Sequence, residues 1–133
     1  MSQWVDTGSN RVANQLFGAT AVDASLYIGV YTAPTSEPGV SATINTLTEP
    51  STGGYARIVL TRGSWTITGD AAAYAQQTFS PSGASWGNVY GYFICNVASG
   101  TAGQLMSVEQ FIDGPYGVGD GDTIKITPTV TVS

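Results

Sequence analysis

The chain has 133 residues, nine carboxylates against four bases, a single cysteine and no histidine. A net charge of −5, with only Arg11, Arg57, Arg62 and Lys125 to neutralise phosphates, argues against nucleic acid and against an anionic membrane surface as partners. Without histidine there is no Ser-His-Asp or Cys-His nucleophile system and no His-ligated zinc or iron site.

In chain order, residues 1–9 are polar and read as an extended N-terminal arm whose Trp4 suits anchoring to a neighbour. Residues 10–133 then form one domain, long enough to bury a core. Asn10 to Phe17 is the one helical stretch, with Val12, Ala13, Leu16 and Phe17 on its apolar side and Gly18 as its stop. From Ser25 to Tyr31 the pattern alternates, Leu26, Ile28 and Val30 against Ser25, Tyr27 and Tyr31, as a strand does. Ala33 to Ser51, punctuated by Pro34, Pro38, Gly39 and Pro50, exceeds the usual connection length and reads as a contact loop.

Gly53-Gly54 then turns the chain sharply into a strand over Tyr55–Thr61. Within it Arg57 has two readings: a solvated side chain, or a partner for Glu49 that pins the loop to the strand. An exposed pair of that kind contributes about 0–1 kcal/mol. Further strands are expected over Ser64–Thr68, with Trp65 and Ile67 inward, and over Tyr74–Phe79. Val89–Val97 carries apolar groups on both faces and reads as a central strand. Gln104–Gln110 places Leu105 on one face with Met106 and Val108 on the other. Ile124, Ile126, Val130 and Val132 alternate with threonines in the last strand, where Pro128 marks an edge or a bulge. Seven short β segments of this kind make an all-β, antiparallel β-sandwich with jelly-roll-like organisation and one short N-terminal helix.

Candidate chemistry is sparse. Cys95 sits mid-strand as a buried, inert thiol, which fits folding in a reducing cytosol. Asp113, Asp120 and Asp122 are weak candidates for a calcium site. Asp120-Gly121-Asp122 is equally a turn that needs no ligand. Tyr27, Tyr31, Tyr90, Tyr92, Trp4 and Tyr116 offer either a carbohydrate platform or packing, and packing is the commoner use of such rings; Trp65 and Trp86 read as core anchors. Charged residues make up 10% of the chain, and a surface that poor in charge suits burial against neighbours. No phosphate-binding loop or dinucleotide fingerprint is present, and no cofactor is expected.

A sequence of short motifs carries a resemblance. Asn14-Gln15-Leu16-Phe17-Gly18 is followed by Leu26-Tyr27-Ile28-Gly29-Val30-Tyr31-Thr32-Ala33-Pro34-Thr35 and by Gly53-Gly54-Tyr55-Ala56-Arg57. Trp86-Gly87-Asn88-Val89 and a Gly119-Asp120 turn complete the order. From about Asn14 onward the chain resembles a family of small tailed-bacteriophage virion structural proteins, commonly labelled tail fibre or minor structural proteins and akin to head-decoration and cement proteins. That resemblance implies a non-enzymatic, homo-oligomeric virion component, a trimer among the candidates, assembled in the host bacterial cytoplasm. Its partners would be other virion proteins, of capsid or tail. The leading expectation is a capsid decoration or cement protein; the alternative is a tail-fibre adhesin that recognises host surface glycan. The long Ala33–Ser51 loop and the Gly114–Asp122 loop with Tyr116 depart from the family pattern and would be particle-specific contacts. Trp4, Gly53, Gly54, Tyr55, Arg57 and Tyr116 are the candidate interface or structural residues.

Overall fold

A computed structural model describes residues 3–131. The all-β antiparallel architecture with one N-terminal helix is what it shows. The main sheet has the order β1 (Gln3–Trp4), β9 (Leu105–Gln110), β8 (Gly91–Cys95), β2 (Ser25–Tyr31) and β3 (Ile58–Thr61). Apolar side chains on both faces made β8 the expected central strand, and it lies third of five with every residue buried.

One face of this sheet, through Ile28, Val30, Leu60, Tyr92 and Ile94, packs on Phe79, Val89, Val118, Ile124 and Ile126. Those residues come from short antiparallel ladders: β6 (Gln77–Phe79) with β11 (Ile124–Ile126), and β7 (Gly87–Val89) with β10 (Tyr116–Val118). A third ladder joins β4 (Thr66–Thr68), β5 (Ala71–Ala73) and β12 (Thr129–Thr131). The second layer is thus several ladders because its strands are interrupted. Pro128, fully buried and lacking an N–H, separates β11 from β12, and the chain changes partner there from β6 to β5. Val132, expected in that last strand, lies outside the described residues, as do Met1 and Ser2.

The opposite face, with Tyr31, Phe93, Cys95, Leu105 and Val108, is covered by Val5 and by the long loop, which inserts Ala42, Ile44 and Leu47. Pro38 and Pro50 of that loop are buried too. Its length therefore reflects packing. Read as a contact loop, it is also the lid of the second core, while stretches such as Thr35–Glu37 and Gly39–Ser41 face solvent.

Several local expectations are corrected. The helix α1 runs Asp6–Phe17, starting four residues before Asn10, so the described part of the arm expected over residues 1–9, from Gln3 on, is instead a two-residue strand followed by the first helical turn. A glycine at position 8 hid this start, since glycine is a poor helix former. Strand β3 begins only at Ile58, and Ile67, expected inward, is 67% exposed on an edge strand. In β9 a bulge lets Ile94 pair with Ser107 and Cys95 with Leu105, passing over Met106. Leu105 and Val108 consequently share one face, and Met106 turns to the other.

Candidate functional site

The most densely bonded polar cluster is built where the long loop rejoins the sheet. Gly53 and Gly54 hold φ of 66° and 73°, the left-handed region. Their roles differ. A Cβ on Gly53 would lie 2.9 Å from both the Ala84 carbonyl oxygen and Trp86 Nε1, whereas one on Gly54 meets nothing within 4 Å. The turn is locked by Trp86 Nε1, which donates to Thr52 O at 2.8 Å, and by Ser82 N–H, which donates to Gly53 O at 3.0 Å. Gly54→Ala is expected to lose about 1–2 kcal/mol from backbone strain. Gly53→Ala adds a packing penalty of roughly 1–3 kcal/mol. Urea unfolding of the two variants should separate them in that order.

Beyond the turn, Tyr55 packs edge-on to Trp86 at 5.4 Å and parallel to Phe79 at 6.2 Å. Its hydroxyl donates to Glu49 Oε1 at 2.7 Å and accepts from Val30 N at 3.1 Å. This explains the late start of β3. The β2–β3 ladder ends at Ile28↔Ile58, and past that point a phenol, not a strand, meets the β2 backbone. Gly29 provides the room, since a Cβ there would sit 2.5 Å from the Tyr55 oxygen. Burial, then the hydrogen bond to Glu49, raises the phenol well above its ordinary pKa, so it stays protonated and keeps donating.

Arg57 completes the cluster. Nε and Nη2 reach the two Glu49 oxygens at 2.8 and 2.7 Å, a bidentate pair. Nη1 donates to Val97 O at 3.0 Å and Nη2 to Gly100 O at 2.8 Å. The guanidinium also lies over the Phe93 ring, 5.5 Å from its centroid. The Glu49 pairing reading is thus the one observed, but the pair is not a surface one: the Arg57 side chain is 2% exposed and that of Glu49 22%. One cation ties together the end of the long loop, the entry to β3 and the turn after β8.

The remaining candidates disperse. Trp4 is partly buried against the main core and donates from Nε1 to Thr131 O at 2.8 Å, so its indole is engaged within the chain. Tyr31 and Tyr92 are buried, Tyr27 and Tyr90 pack on the second core, and Tyr116 is 42% exposed beside Phe111 at 5.2 Å. Trp86 is a core residue, while Trp65 is half-buried and stacks edge-on with Tyr74. Asp120 accepts from Gly83 N at 2.8 Å, and Asp122 accepts from Gly119 N at 2.8 Å. Asp113 does not join them, and among the described residues no three His, Cys, Asp or Glu side chains converge as a metal-binding group. Asp122 thus closes a local turn onto Gly119, whereas Asp120 reaches across to the turn at Gly83.

Cys95 is fully buried, and burial raises its thiol pKa. Its reaction with a thiol reagent should track global unfolding; labelling in native buffer at the rate of a free thiol would contradict that placement.

Two signals were missed in the sequence. One is Tyr55 as a substitute for ladder hydrogen bonds, and the other is the Arg11–Asp23 pair (2.6 Å), which no local motif announces because its partners are twelve residues apart.

Trp4, Glu49, Tyr55, Arg57, Asp120 and Asp122 all bond to the chain's own backbone or side chains. Fold and site together define an all-β module whose polar cluster is bonded internally. The chain matches the family described as Podophage GP4 fiber I protein gp80 over residues 3–132, and it belongs to that family. It is a bacteriophage virion structural protein, as the ordered motifs implied. No curated protein matches the chain. Among the described residues no helix is long and apolar enough to cross a membrane.

Proposed function

We propose that the chain acts as one folded, non-enzymatic unit of the phage tail fibre, docking to other virion proteins after assembly in the host cytoplasm. The observation that carries this reading is the match to a fibre family across residues 3–132. The internal engagement of Glu49, Tyr55, Arg57 and Trp4 supports it, since these groups make a rigid building block. Capsid decoration, suggested by the charge-poor, disulfide-free domain, the Trp4 arm and the likeness to head-decoration proteins, has no family match of this kind behind it. Gold-labelled antibody against the protein, applied to intact particles, should decorate the tail region. Label spread over the head would overturn the fibre reading in favour of a decoration protein. A receptor contact would fall to Tyr116, the exposed tyrosine of the group first considered for glycan.

A further inference from the structure

Beside α1 lies an open cleft of about 230 Å³. Its floor is apolar. Leu26, Leu60 and Met106 line it, and Leu60 and Met106 are buried members of the main core, so the cleft reaches the core itself. Trp4 and Trp65 line it as well, and Gln15, Asp23 and Arg62 supply its polar groups. A cavity of roughly 150 Å³ holds a benzene molecule, so this space suits one ring with a small substituent.

The lining is held in place by the fold. Trp4 Nε1 donates to Thr131 O at 2.8 Å, and the Trp65 ring meets Tyr74 edge-on at 5.2 Å. Arg11 donates to the two Asp23 oxygens at 2.8 and 2.6 Å, and Gln15 Nε2 donates to Asp23 Oδ2 at 3.0 Å and Ala21 O at 3.3 Å. A preformed, mostly apolar and aromatic lining with a few polar groups is the usual make-up of a small-molecule site.

Charge selects the ligand. Asp23 lines the cleft, but Arg11 matches its charge and both of its oxygens are engaged. Gln15 is spent on the same carboxylate and on Ala21. Arg62 differs: it is exposed, and its side chain makes no ion pair or hydrogen bond among the described residues. The cleft therefore pairs an apolar hole with one unmatched positive charge. A pyranose suits it poorly, because sugar hydroxyls taken from water would meet apolar side chains and polar groups already engaged. We propose that the cleft binds a small aromatic carboxylate as a free molecule, its ring beside Trp4 and Trp65 and its carboxylate on Arg62. The planar guanidinium fork matches a carboxylate in geometry as well as in charge. The site shares no residue with the Glu49–Arg57 cluster, and the inference does not depend on where in the particle the chain resides.

Titration of phenylacetate into the purified full chain, followed by the NMR signals of the tryptophan indole N–H groups, tests it. The Trp4 and Trp65 signals are expected to shift with a roughly millimolar Kd, the level for a ligand of this size. The signal of Trp86, whose indole donates to Thr52 O outside the cleft, should stay in place. 2-Phenylethanol, an uncharged counterpart, should bind about fivefold more weakly, the worth of a partly exposed ion pair. Arg62→Gln should weaken phenylacetate by that same factor and leave phenylethanol binding unchanged. Arg62 is exposed, so the variant should keep the wild-type thermal midpoint, and its phenylethanol binding reports an intact cleft. Unmoved Trp4 and Trp65 signals, equal phenylacetate binding by wild type and Arg62→Gln, or tighter binding of phenethylammonium overturns the proposal. Tighter binding of methyl glucoside at the same signals overturns it in favour of a carbohydrate site.

Discussion

Arg57→Met should destabilise the fold by about 3–5 kcal/mol, the usual loss when one partner of a buried pair is removed. For a domain of this size that corresponds to a fall in melting midpoint of roughly 10 °C or more. Methionine keeps the aliphatic stem against Phe93 but removes the donors that serve Glu49, Val97 and Gly100. Glu49 then retains only the Tyr55 hydroxyl among the bonds described for it, and two carbonyls lose a charged donor in a place where the guanidinium was 2% exposed. Because the three groups act as a unit, Glu49→Leu and Arg57→Met combined should be less destabilising than the sum of the two single changes. Urea unfolding of the four proteins closes the cycle. A loss below about 1 kcal/mol for Arg57→Met would mean that the pair behaves like a surface one.

The Glu49–Arg57 pairing was legible because arginine is scarce in this chain and a carboxylate stood at the end of the preceding loop. Its burial was not, since burial is set by the 97–100 turn, forty residues away in sequence. Alternation located β2 exactly where the structure has it, and two-faced hydrophobicity placed β8 at the centre. Alternation failed where side chains replace ladder bonds, as Tyr55 does for Val30, and where a bulge resets the faces at Met106. The core role of the long loop was hidden for a related reason. Its apolar residues are spaced irregularly, so they show no period, yet Ala42, Ile44 and Leu47 close the second core. The helix stripe misled in the opposite sense: its period is helical, but Leu16 and Phe17 run past the end of the surface that α1 covers.

Gly8→Ala should destabilise the protein, although in an isolated helix the same change stabilises by about 0.8–1.0 kcal/mol. Gly8 is the buried residue of α1 and sits on the bulged strand β9. A Cβ built there would lie 2.6 Å from Met106 Cα and overlap the Met106 carbonyl oxygen. Neither neighbour can swing aside as a side-chain tip would. Met106 belongs to a strand flanked by β1 and β8, and its carbonyl accepts from Val5 N at 3.3 Å. Overpacking of this kind is worth roughly 1–3 kcal/mol, occasionally more, and exceeds the propensity gain when backbone must move. A net loss of up to about 2 kcal/mol is therefore expected. Ala13→Gly on the exposed face of the same helix supplies the contrast. There nothing is packed, propensity alone decides, and the change should cost about 1 kcal/mol. Thermal unfolding of both variants separates the two effects: glycine is the stabilising residue at position 8 and the destabilising one at position 13. A Gly8→Ala protein more stable than the wild type would show that α1 can lift from β9, and the early helix start would then owe nothing to this close approach.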